Sequence, residues 1–142
     1  MGCLVNEIIK LVTKQKKRKT PLSKQVATVA GAVVSKKNYV SAIDLFLGMG
    51  WLAQDKLSDW KAGKIPYLES VVTVNLKKIS TAMKAFILWA EHSKLKASIT
   101  VYKHKNHMLR FSKSGNHKIE TAYSTHYVLL KPKDYNNFTS TG

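Results

Sequence analysis

The stretch PYLESVVTVNLKKISTAMKAFILWA (66–90) carries the strongest structural signal in the chain. Leu68, Val71, Val72, Leu76, Ile79, Ala82, Met83, Phe86, Ile87 and Ala90 recur on one stripe, with Asn75 among them. That spacing predicts a single amphipathic helix of about six turns. Pro66 suits its first turn, where a missing N–H has no intrahelical partner anyway. Thr73, Lys77, Ser80, Thr81 and Lys84 fall on the opposite side. Asn75 is expected as a buried polar contact.

Upstream, Ser41 and Asp44 form a capping-box-like start to a helix over Ser41–Leu47, with Ile43, Leu45, Phe46 and Leu47 apolar. Gly48 and Gly50 end it. Ala53–Ala62 reads as a further helix with Leu57 and Trp60 inward and Gly63 as its C-terminal cap. Leu22–Val34 reads as a helix despite Gly31, which weakens it by roughly 1 kcal/mol. Asn6–Thr13 reads as a short amphipathic helix.

Downstream of Lys94 the pattern changes. Ala97–Lys103 and His107–Ser112 contain alternating and β-branched residues around His104-Lys105-Asn106, which predicts a hairpin. Ser114-Gly115-Asn116 is a turn, and His117–Tyr127 reads as a short helix. The expected architecture is α+β: a mainly helical, helix-turn-helix-like bundle with one β-hairpin and a short C-terminal helix. On charge, residues 1–38 form a basic N-terminal arm with short helices. Residues 39–130 form a compact α+β domain, and 131–142 a flexible tail.

The chain has 142 residues, with 24 Lys+Arg, 8 Asp+Glu and a net charge of +16. The middle of the chain is nearly balanced and both ends are basic: 1–38 carries +8, 39–94 carries +2 and 95–142 carries +6. A surplus of this kind points to a polyanionic partner. Lys14, Lys16, Lys17, Arg18 and Lys19 place five cations within six residues. They repel one another unless an anion is present, which suits a phosphate-binding arm and equally a solvated tail. Cys3 is the one cysteine, so there is no internal disulfide and no multi-cysteine zinc site. No apolar run approaches a membrane span. Met1-Gly2-Cys3 beside basic residues resembles a lipidation signal, but Asn6 stands where Ser or Thr is wanted. A cytoplasmic protein without membrane contact is expected.

The hairpin interleaves cations with rings: Tyr102, Lys103, His104, Lys105, His107, Arg110, Phe111 and Lys113. Cations meet phosphates and rings stack on unpaired bases. The same residues also suit an ordinary hairpin with Tyr102, Leu109 and Phe111 in the core. Lys77 and Lys84 present a polar helix face able to reach a groove or a phosphate, or simply solvent. His104 and His107 have H-x-x-H spacing, with His117 and His126 further on, but zinc needs three or four ligands. His104, His107 and His126 with Arg110 could instead cleave RNA by general acid–base chemistry. A two-metal nuclease lacks clustered carboxylates. Phosphate-loop, dinucleotide and nucleophile-elbow motifs are absent. No metal and no small-molecule cofactor are expected.

Gly50–Leu52, Asp59–Glu69 and Asn75–Met83, followed by Leu109–Gly115, Ile119-Glu120 and Tyr123–His126, resemble the N-terminal region of an uncharacterised bacterial protein family. The likeness covers about residues 39–128, and its W-x-x-G-x-x-P-Y-L-E segment (60–69) is distinctive. It implies a bacterial source and a compact module, with no activity attached. Longer members continue into a cysteine-containing segment and a further domain, neither of which lies within residues 1–142. Arg110, Glu120, Tyr123 and His126 fall inside the likeness. They suit either a surface patch or a tie between the hairpin and the last helix.

The expected function is non-catalytic nucleic-acid binding, DNA or RNA, through Lys14, Lys16, Lys17, Arg18, Lys19, Lys77, Lys84, Tyr102, Lys103, Lys105, Arg110 and Lys113. Two rivals are a small basic ribonuclease, and an interaction module for an acidic protein or the ribosome. Oligomeric state is not legible.

Overall fold

A computed structural model describes residues 21–130. The predicted Asn6–Thr13 helix, the basic run Lys14–Lys19 and the tail 131–142 lie outside the described residues.

The element order is α1 (Leu22–Lys37), β1 (Tyr39–Ser41), α2 (Ala42–Gly48), α3 (Gln54–Lys61), a 3-10 turn (Leu68–Val71), α4 (Leu76–His92), β2 (Lys96–Ile99), β3 (Lys103–His104), β4 (His107–Met108), α5 (His117–Ser124) and β5 (Thr125–Val128). The fold is α+β and mainly helical, as expected. Its sheets are a three-stranded antiparallel sheet ordered β1-β5-β2 and the separate β3-β4 hairpin.

α1 buries Val26, Ala30 and Val34, which are spaced by four. It packs against α4, which buries Ile79, Ala82, Met83, Phe86 and Ala90. The segment grouped with the basic arm on charge is therefore a core helix from Leu22 onward. Burying three aliphatic side chains stabilises by several kcal/mol, on the order of 1.5–3 kcal/mol for each large one. α2 runs close against α1. A Cβ on Gly48 would strike Cγ1 of Val29, so this position requires a residue without a side chain.

The capping box at α2 forms as predicted. Ser41 Oγ accepts from the Asp44 N–H at 3.2 Å, and Asp44 Oδ2 accepts from the Ser41 N–H at 3.1 Å. α3 buries Leu57 and Trp60, and Gly63 follows it with φ +76°.

Four expectations are corrected. The 66–90 helix is not continuous. Leu68 and Glu69 donate their N–H groups to the carbonyls of Arg110 and Phe111, outside any helix. Thr73 N–H donates to the Trp51 carbonyl at 2.8 Å. The run Val71-Val72-Thr73-Val74 is β-branched and loses rotamer freedom in a helix, so these outside partners prevail. α4 starts afresh at Asn75, whose side chain accepts from the Lys78 N–H at 2.8 Å. Asn75 is an exposed cap, not a buried contact.

The hairpin is shorter than predicted. Lys105 and Asn106 turn it with φ 49° and 70°, and only Lys103↔Met108 and His104↔His107 pair. β2 pairs instead with β5. The last helix also stops early, at Ser124. Thr125-His126-Tyr127-Val128 is β-branched and aromatic, and finds a strand partner on both sides.

Candidate functional site

The loop Arg110–Gly115 closes the side of the aromatic core. Phe111 is buried, with its ring 4.9 Å from Trp60 and stacked 5.4 Å from Tyr123. Trp60 Nε1 donates to the Arg110 carbonyl at 2.8 Å. Two carboxylates then hold the loop. Glu120 on α5 accepts from the Phe111 N–H at 2.9 Å and from both the N–H (2.7 Å) and the hydroxyl of Ser112. Glu69 accepts from the Lys113 N–H at 3.0 Å and from the Tyr123 hydroxyl at 2.6 Å. Burial, reinforced by the Glu69 carboxylate, pushes the Tyr123 phenol well above its ordinary value, so it stays protonated.

Arg110 belongs to this arrangement. Its Nε donates to the Ser112 carbonyl at 3.0 Å and its Nη2 to the Lys113 carbonyl. The guanidinium lies where a Cβ on Gly115 would approach to 3.1 Å. The tie between this region and α5 runs from Glu120 to the loop backbone, and no Arg110–Glu120 ion pair forms.

Tyr102 is likewise engaged. Its half-buried ring contacts Trp60 at 5.6 Å and Phe111 at 5.4 Å, and its hydroxyl is 2.7 Å from His126 Nε2. That ring is a core wall rather than a free platform for bases. His126 also stacks on Tyr39 at 5.4 Å, with the two rings nearly parallel. Burial lowers the His126 pKa and raises that of Tyr102.

Of the histidines named for the ribonuclease reading, two come together and the third has other partners. His104 and His107 face each other across the hairpin, and the His104 ring lies over Gly63. The ring contacts of His126 are instead with Tyr39 and Tyr102. Among the described residues no three His, Cys, Asp or Glu side chains group so as to hold a metal ion.

The lysines divide by place. Lys103 and Lys105 are exposed on the hairpin. Lys77 and Lys84 lie seven residues apart on α4, on one stripe. Lys84 shares the margin of an α4–α5 groove with Lys113 and Lys118. Lys118 did not stand out in the sequence, because the facing of α5 toward α4 is a tertiary contact. All of these lysines are exposed. Among the described residues one ion pair forms, Lys37 Nζ to Asp44 Oδ1 at 2.7 Å. No helix there is long and apolar enough to cross a membrane.

Two helix starts carry lysines against electrostatic preference. Of these the first turn of α4 is the clear case, with Lys77 and Lys78 and no acid, whereas in α5 Lys118 shares the first turn with Glu120. Cations at a helix N-terminus oppose the macrodipole. Compared with protein-family models, with curated proteins and with solved structures, the chain finds no match.

Proposed function

We propose that this chain is a non-catalytic nucleic-acid-binding protein. It meets phosphates with the lysines of α4 and α5 (Lys77, Lys84 and Lys118), with Lys113, and with the basic run Lys14–Lys19. The hairpin lysines Lys103 and Lys105 add a second point of contact. The single observation that carries this reading is the charge imbalance. Residues 21–130 hold sixteen Lys+Arg against six Asp+Glu, yet only Lys37 and Asp44 pair within them. The start of α4 also bears Lys77 and Lys78 with no acid beside them, against the preference of the helix dipole, which fits a role outside folding.

The mechanism is capture by counterion release, so affinity falls steeply with salt. The test is a salt titration of binding to duplex DNA, single-stranded DNA and structured RNA. Native chain, a Lys77→Gln/Lys84→Gln/Lys113→Gln/Lys118→Gln variant and a chain lacking residues 1–20 are compared. On duplex DNA the quadruple variant should flatten the log–log slope by about 0.9 for each phosphate it no longer neutralises. Absence of binding to all three polymers at moderate salt defeats the reading. An unchanged slope in the quadruple variant removes the α4–α5 face from the interface. RNA should be recovered intact with and without a chelator, and its cleavage would refute the non-catalytic assignment.

A further inference from the structure

The α4–α5 groove has a volume of about 780 Å³, which is the size of a small-ligand site. Its walls are apolar: Leu76, Met83 and Ile87 from α4, with Ile119, Ala122 and Tyr123 from α5. Leu76 is 62% and Ile119 42% exposed, so the rim of this surface faces water, while Met83 and Tyr123 belong to the buried core beneath it. A phosphate backbone has nothing to bury there. The groove therefore asks for a ligand with carbon as well as charge.

Its margin is cationic. Lys84, Lys113 and Lys118 line it from three elements, and none has a carboxylate within ion-pair distance among the described residues. Glu69, the acid that reaches the groove, already has both oxygens engaged by the Lys113 N–H and the Tyr123 hydroxyl. Along α4 the groove runs from Leu76 to Ile87. At about 1.5 Å per residue that is roughly 16 Å. An extended hydrocarbon chain of roughly a dozen carbons has a similar length, given bonds of about 1.5 Å.

We propose that this groove binds a soluble single-chain amphipathic anion, with the hydrocarbon chain laid along Leu76–Ile87 and the acidic headgroup at Lys84, Lys113 and Lys118. The site shares Lys84, Lys113 and Lys118 with the proposed phosphate contacts, so the two ligands would compete for them, but its apolar wall does not depend on that reading. Apolar burial supplies affinity, and the lysines select a negative head over a neutral or positive one. Lysine stems can also cover apolar surface with no ligand present, so the test must separate head charge from chain burial.

Methyl-resolved NMR of the full chain does so, with dodecyl phosphate, dodecanoate, dodecanol and dodecyltrimethylammonium, all below their micellar concentrations. The two anions should give saturable shifts at the Met83, Ile87 and Ile119 methyls, with Val26 and Val40 unmoved. They should bind at least about tenfold tighter than the alcohol or the cation, the equivalent of one charge-assisted contact. A Lys84→Gln/Lys113→Gln/Lys118→Gln variant should bring the anions down to the alcohol. An Ile87→Asp variant that keeps its native spectrum elsewhere should bind none of the four.

Equal affinity for all four heads overturns the proposal, as do shifts spread through the core. Binding confined to vesicles of an anionic phospholipid would make the surface a membrane contact instead. Binding confined to an acidic amphipathic peptide would make it a helix-docking face. Either result also overturns the proposal.

Discussion

Two basic regions look alike in sequence and behave oppositely in the fold. In Tyr102–Gly115 the Tyr102 and Phe111 rings are turned inward and the exposed Arg110 guanidinium is tied to its own loop. Tyr102 walls the core, Arg110 donates to loop carbonyls, and the loop N–H groups run into Glu69 and Glu120. In the α4–α5 region the lysines remain outside, beside Leu76 and Ile119, which also stay exposed. The difference is one of partners. A buried donor must be matched, because leaving it unmatched costs about 1–3 kcal/mol. An exposed lysine is already satisfied by water, so the fold makes no claim on it. Stability should therefore depend on the inward rings and carboxylate contacts of the first region, and ligand binding on the exposed lysines, most of all those beside the α4–α5 groove.

The sharpest challenge to that contrast is Glu120→Ala. It strips the acceptor from Phe111 N–H, Ser112 N–H and the Ser112 hydroxyl. We expect a loss of about 3 kcal/mol in urea unfolding, since bonds to a charged acceptor are among the stronger ones. A loss under about 0.5 kcal/mol, the level of an ordinary surface change, would mean that the clamp is ornamental.

Gly63→Ala comes next. It places a Cβ at φ +76° and 2.9 Å from the His104 ring. A cost of about 1–2 kcal/mol is expected from the backbone alone. A larger cost would show that the hairpin holds the His104 ring in place over Gly63, and a stability equal to native would defeat the expectation.

A smaller effect concerns pH. Burial holds the folded pKa of His126 below the ordinary 6.5. Between the two values the unfolded chain binds more protons, so stability falls as pH drops through about 6.5 and levels off below the folded value. His126→Gln should remove that component, seen by comparing urea midpoints at pH 7.5 and 5. An identical pH dependence in the variant would place the titration elsewhere.

The subtlest test has two readouts of opposite sign. Lys118→Glu in the first turn of α5 should stabilise the fold by about 0.3–1 kcal/mol through the helix dipole. The same change should weaken nucleic-acid binding. If stability and binding fell together, Lys118 would be a structural residue and the contrast between the two regions would fail.

Much of the helical part was legible because its causes are local. The Ser41–Asp44 box, the glycine after α3 and the i, i+4 series Val26, Ala30, Val34 each act within a few residues of themselves. The break between Val71 and Asn75 was not legible from the apolar stripe, which runs straight through it. Its causes are the Trp51, Arg110 and Phe111 carbonyls, far away along the chain. Thr125–Val128 had strand-forming residues in plain view, yet extends only because β1 and β2 lie on either side. Among the candidate residues, the exposure of Lys77, Lys84 and Lys113 follows from charge alone. The place of Tyr102 depends on Trp60, Phe111 and His126, contributed by other segments, whereas Arg110 is engaged by carbonyls of its own loop.

Composition and short-range periodicity thus sufficed for a mainly helical α+β chain with a large positive surplus and for the starts and ends of several helices. Those properties depend on hydration and on contacts within a turn or two of backbone. Strand pairing, the interruption before α4 and the division of cations into engaged and free arose from contacts between distant segments. Only once the chain is folded do the Glu69 and Glu120 carboxylates reach the loop, and only then do Lys84, Lys113 and Lys118 surround one apolar groove.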